Sequence, residues 1–223
     1  MAFLRKIPVS ALLAGDHTYL TPSDECYSIL TYDCACNDHR PLIFAFKDSN
    51  ADAIARVGSE LQDAVPDHWC TELTAVPIPR ATGAINHPVT EALRVAKFSD
   101  IRQALRARDR ERPAHCGYRP PPYGRFYTFN ESSALPVPQS VVLVDDVLTT
   151  GSHFAAAKRT LRSRWDVQVI GLFICRVCSV RQRCSLDIDP PYANVPSTTN
   201  PRCHYSGSAL VVPALAMLKT PQR

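Results

Sequence analysis

The chain has 223 residues, 45% hydrophobic and 21% charged, with 25 Lys plus Arg against 21 Asp plus Glu and a formal net charge of +4. This is the composition of an ordinary globular protein, long enough to bury a core without disulfide staples, and it excludes an intrinsically disordered chain. Only 8 glycines stand against 19 prolines, and their spacing excludes both G-x-G-x-x-G and G-x-x-x-x-G-K-[ST], the dinucleotide and Walker A phosphate loops.

In chain order, the apolar run after Arg5-Lys6 is short and broken by Pro8 and Ser10, so it reads as part of the fold rather than a leader. Residues 17–46 read as a β unit: Tyr27–Tyr32 runs out, a polar stretch turns, and Pro41–Phe46 returns. Asp48, Ser49 or Asn50 then caps a helix with Ile54, Val57, Leu61 and Val65 on one face, and Pro66 stops it. Leu73–Ile78 predicts a short buried strand. A helix over Pro88–Lys97 turns Val89, Leu93 and Val95 inward, and residues 99–107 form a third helix.

Residues 108–130, with four prolines and many charges, predict a long mobile loop. Val141–Val144 is an unbroken apolar run suited to a central parallel strand. A helix over Ser152–Arg164 with Phe154, Ala157 and Leu161 inward follows, then a buried strand over Val167–Cys175, completing a βαβ unit. After Cys184 the chain is Pro-rich and weakly patterned. No internal repeat is present, and no run reaches the ~18 apolar residues of a membrane helix.

Charge is unevenly placed. Residues 1–100 are net −5, 101–126 net +5, 127–157 net −3 and 158–183 net +6. Twenty of the 25 basic residues are Arg, which suits forked contacts with phosphate or carboxylate; solvated faces are the bland alternative. Nine scattered cysteines, an odd number, point to reduced thiols in a cytoplasmic protein. Cys175, Cys178, Cys184 and Cys203-His204 form a loose set whose spacing fits no standard zinc finger. Arg176, Arg181 and Arg183, with Lys158, Arg159, Arg162 and Arg164, could line a nucleic-acid surface or complement a helix end.

The chemistry concentrates in Val141-Val-Leu-Val-Asp-Asp-Val-Leu-Thr-Thr-Gly-Ser152. Two carboxylates, Asp145 and Asp146, end a buried strand, and Thr149, Thr150, Gly151 and Ser152 open a helix whose N-terminus favours an anion. Gly151 lets the backbone approach an oxyanion closely. Carboxylates are poor phosphate partners but good acceptors for vicinal hydroxyls, so the implied ligand is a sugar bearing a terminal phosphate.

This stretch resembles the phosphoribosyl pyrophosphate (PRPP) motif of type I phosphoribosyltransferases (PRTases), and Ala75–Arg80 looks like the Val-Pro-Val-Pro stretch of their ComF-like, amidophosphoribosyltransferase-like branch. The resemblance covers about residues 70–178. It implies an α/β fold, a parallel sheet flanked by helices. An N-terminal β hood (about 17–47) precedes a core (about 48–180) in one domain, 1–184, and an irregular Pro-rich extension, 185–223, follows.

By the resemblance, Asp145 and Asp146 hold the ribose hydroxyls, Val147, Leu148, Thr149, Thr150, Gly151 and Ser152 wrap the 5′-phosphate, and Arg80 contacts pyrophosphate. Arg106, Arg108, Arg110, Arg112, His115 and Arg119 lie where a closing loop would clamp the leaving group. Mg²⁺ would arrive with PRPP, not in a protein cage. The implied activity is transfer of ribose 5-phosphate to an unidentified nitrogen nucleophile, base or amine, with a homodimer as one assembly. The alternative is a non-catalytic PRPP- or nucleotide-sensing module, or a single-stranded-DNA-handling module working with a helicase. The Gly-Phe-Asn-Gln stretch and paired C-x-x-C zinc site of ComF-like proteins are missing. Tyr19-Leu-Thr-Pro-Ser-Asp-Glu-Cys-Tyr27 instead resembles a set of PRPP-domain proteins of bacteria and their phages.

Overall fold

In a computed structural model, the structure describes residues 3–7, 19–33, 39–80, 87–107, 126–131 and 136–178. Five strands carry the layer that matters: β2 (Cys26–Asp33), β3 (Thr74–Pro77), β4 (Asp100–Ile101), β7 (Ser140–Leu148) and β8 (Gln168–Cys178). Every pairing among them is parallel, in the order β2-β8-β7-β3-β4, and β1 (Arg5–Lys6) adds an antiparallel edge beside β2. Val141, Val142, Leu143 and Val144 are fully buried because β7 is a central strand covered on both faces. Alternate residues divide between two layers: Val142 and Val144 join Phe46, Val57, Leu61 and Leu93, while Val141 and Leu143 join Phe154, Ala157 and Leu161.

Helices supply those layers. The first helix, α1 (Arg40–Lys47), corrects the expected returning strand over Pro41–Phe46. Pro41 sits in the first turn, where a missing N–H costs nothing, and Ile43 and Phe46, three apart, are buried while Phe44 is exposed. Ser49, at φ 63°, ends it. Where a β hood was expected over about 17–47, the described residues 19–33 and 39–47 give the main sheet β2 and one covering helix.

The next helix, α2 (Ala51–Ala64), starts where Asn50 accepts a hydrogen bond from the Ala53 N–H at 3.0 Å, resolving the three candidate caps. A short helix, α3 (Asp67–Glu72), leads into β3 and had no clear sequence signal. Val89 and Leu93 of α4 (His87–Val95) are buried as expected, whereas Val95 is half-exposed. Lys97 at φ 63° breaks this helix, and no third helix follows. Instead Asp100–Ile101 pairs with β3, and β5 (Leu105–Ala107) forms an antiparallel ribbon with β6 (Tyr127–Phe129).

The helix α5 (Ser152–Arg162) turns Phe154, Ala157 and Leu161 inward, as its periodicity predicts. All described residues fall in one compact unit, Met1–Asp187. No helix among them is long and apolar enough to cross a membrane.

Candidate functional site

From β3 the chain moves outward to β4; β7 then enters on the other side of β3 and leads to β8. The direction of winding reverses between β3 and β7, and open α/β sheets bind ligands in the crevice outside the carboxyl ends of such a pair. Asp145 and Asp146 lie at that crevice. Pairing between β3 and β7 stops with Pro77 against Val144, and the Ile78 N–H makes a last bond to the Val144 carbonyl at 2.8 Å. β7 nevertheless continues to Leu148 along β8, two residues past the acids expected to end the strand.

The departure of β3 leaves the backbone around the acids to other partners. The Asp146 N–H donates to Asp145 Oδ1 at 3.0 Å, and the Val147 N–H to Asp146 Oδ1 at 2.6 Å. Asp146 Oδ2 faces Lys47 Nζ at 3.6 Å. Burial and then the charge of Asp146 push Asp145 up to about 8, against smaller opposing pulls from the Asp146 N–H and Lys47. The pair thus holds less than two negative charges near neutrality and answers to a cation or a hydroxyl donor.

Lys47 was invisible to sequence reasoning because its segment was expected to be a strand. It ends α1, where a cation complements the helix dipole. Its backbone carbonyl accepts a hydrogen bond from Arg80 Nη2 at 2.5 Å. Arg80, Lys47 and Asp146 therefore form one chain of contacts across the crevice, which brings together two of the predicted site residues through one that was not.

Beyond the acids, Val147 packs partly into one layer and Leu148 is buried in the other, so their side chains belong to the core. The accessible part is the turn after them, where Thr149 and Thr150 are exposed and Ser152 is half-buried. Gly151 is the N-cap of α5 at φ 80° and supplies no side-chain acceptor to the helix N–H groups. A Cβ there would lie 2.7 Å from Leu20 Cδ2 and Cγ. Thr150 Oγ1 donates to Ser152 Oγ at 3.3 Å.

The Tyr19–Tyr27 motif braces this turn. The Tyr19 N–H donates to the Thr150 carbonyl at 3.0 Å, Leu20 covers Gly151, and Lys158 of α5 pairs with Asp24 at 2.6 Å. Burial would raise the Asp24 carboxyl, but hydrogen bonds from Lys158 and Thr21 outweigh it and hold the group below its ordinary range. On the far side, Tyr127 Oη and His153 Nδ1 share a hydrogen bond of 2.7 Å, tying the β5–β6 ribbon to the first turn of α5.

Arg108, Arg110, Arg112, His115 and Arg119 lie outside the described residues; the ribbon that carries their segment is described, with Arg106 on it. Cys178's side chain, Cys184, Cys203 and His204 also lie outside, as do Arg181 and Arg183, while Cys175 is buried with its Sγ 3.8 Å from the Arg176 carbonyl. Among the described residues no three His, Cys, Asp or Glu side chains converge as a metal site. No protein-family model matches this chain. No curated protein matches it either.

Proposed function

We propose that this protein binds PRPP and transfers its ribose 5-phosphate to a nitrogen nucleophile, releasing pyrophosphate. The observation that carries this is the sequence of groups along β7 and into α5: a carboxylate pair at the crevice where winding reverses, then a hydroxyl-bearing turn on a left-handed Gly N-cap. A strand followed by a capped helix accounts for the turn, but it gives no reason to place two adjacent acids at the ligand edge.

In this scheme Asp145 and Asp146 accept from the ribose 2′ and 3′ hydroxyls, fixing the sugar ring, and Thr149, Thr150, Ser152 and the α5 N-terminus receive the 5′-phosphate. Mg²⁺ would come with the substrate's own oxygens, and Asp145 and Asp146 would add a negative field that favours it. Cleavage of the C1–pyrophosphate bond leaves an oxocarbenium-like carbon while charge grows on the leaving group. Lys47 and Arg80, together across the crevice, are the cations suited to meet it. Rate enhancement then comes from positioning and electrostatics, with no covalent intermediate required.

Pyrophosphate release from PRPP and Mg²⁺, followed with a panel of nitrogen nucleophiles, tests the transfer. Release by the wild type that falls at least about a hundredfold in Asp145→Asn/Asp146→Asn is the expected result. Release that ignores the double substitution would overturn the site, and PRPP binding without release for any nucleophile would favour the sensing alternative.

A further inference from the structure

Only one charged side chain among the described residues is fully buried. Arg176, near the carboxyl end of β8, is 4% exposed, and its Nε has no hydrogen-bond partner. In the adjoining strand Thr31 Oγ1 is buried and equally without a partner. The two residues are in register, Thr31 beside Arg176 and Arg176 beside Leu148, so they share one row across β2, β8 and β7. Neighbours in register present their side chains on the same face of a sheet.

Such an arrangement is costly unless something is missing from it. A buried lysine escapes the cost of desolvation by losing its proton, but a guanidinium cannot. The ion pairs found among the described residues engage Lys47, His87, Arg94, Arg102, Lys158 and Arg164, and none engages Arg176. We infer that Arg176 and Thr31 form a buried subsite for a carboxylate, and that the acceptor in the transfer is an acidic molecule held by that group. The second half rests on the phosphoribosyl assignment; the first does not.

The chemistry selects a carboxylate. Nε and the neighbouring Nη form the side edge of the guanidinium, two parallel N–H donors spaced for the two oxygens of a planar anion. The Thr31 hydroxyl offers a third donor. A tetrahedral phosphate already has a better-furnished place in the exposed turn at Thr149–Ser152. Position agrees: Leu148, the strand neighbour of Arg176, immediately precedes that turn, one strand spacing of about 4.8 Å away. A small planar acid anchored at Arg176 would therefore lie beside the sugar that Asp145 and Asp146 hold.

The test uses the full chain, with benzoate as the carboxylate probe and benzamide as its uncharged match, measured by calorimetry and thermal shift. Benzoate should bind and benzamide should not. Arg176→Gln should weaken benzoate about tenfold or more, with PRPP affinity within about twofold of wild type. Thr31→Val, which keeps the shape and removes only the hydroxyl, should weaken benzoate about threefold even if Arg176→Gln fails to fold. Equal binding of benzoate and benzamide, benzoate affinity indifferent to both substitutions, or displacement of benzoate by lower concentrations of inorganic phosphate would each overturn the subsite. Benzoate binding that depends on Arg176, in a protein that ignores PRPP, would keep the subsite and remove the transfer. With PRPP and Mg²⁺ present, pyrophosphate release should occur with aromatic acids that carry a ring or amino nitrogen, such as pyridine carboxylates, and neither with benzoate nor with the matching amides; release with amides alone overturns the acidic acceptor.

Discussion

Asp145 and Gly151, six residues apart, carry opposite kinds of cost for the same site. Asp145 is raised in the folded protein to about 8 from an ordinary 3.8, so the fold binds its proton more tightly than the unfolded chain does. The sign follows directly: the group costs nothing below about pH 4, costs progressively more as pH rises toward 8, and costs its full amount above that. Asp145→Asn should therefore melt several degrees above wild type at pH 8.5, with the advantage shrinking toward pH 4.5. Melting profiles of the two proteins that run parallel across that range would contradict the assignment. Gly151 carries backbone cost instead. Gly151→Ala places a Cβ in a left-handed residue, about 1–2 kcal/mol, and against Leu20. Urea denaturation should show that loss, and adding Leu20→Ala should recover the contact part of it while leaving the backbone part.

At the level of elements, Gly58 shows why propensity misleads. It sits within α2, where Ala is favoured over Gly by roughly 0.5–1 kcal/mol, so sequence reasoning alone expects Gly58→Ala to stabilise. The structure reverses the sign: a Cβ there would lie 2.4 Å from Val95 Cβ on α4. The substitution should destabilise by about 1–3 kcal/mol in chemical denaturation, and Val95→Ala should relieve much of it. A stabilised Gly58→Ala would mean that the two helices are not in close contact.

Legibility divided along the same line. The β7–α5–β8 unit was readable because an unbroken apolar strand, a helical period and a second apolar strand each carry an unambiguous signal. The run Leu42–Phe46 has no such period, since five consecutive apolar residues fit either element, and its helix is set by Pro41 and by which residues the sheet covers. Residues 99–107 misled for a different reason. Their role as strands depends on partners far away in sequence, β3 for Asp100–Ile101 and β6 for Leu105–Ala107. Of the site, the acid pair and the turn were legible from one continuous stretch. Lys47, Leu20 and the Thr31–Arg176 row were not, because each reaches the site through the fold.

For the whole molecule, the order of strands gives local charge its meaning. The net −3 block and the first acidic hundred residues meet where β7 passes β3, with Lys47 and Arg80 set between them. Arg176, from the net +6 block, stands one strand further along the same edge. On the proposed reading, a sheet that puts acids, a hydroxyl-bearing turn and a buried guanidinium on one edge suits a ligand with hydroxyls and more than one anionic group. The most direct measurement is a calorimetric titration of the full chain with PRPP in excess Mg²⁺, run on wild type and on Asp145→Asn/Asp146→Asn. One-site binding, weakened at least about tenfold in a double variant that still unfolds cooperatively, is the predicted result. Equal affinity in the two proteins, or no binding by the wild type, would contradict it.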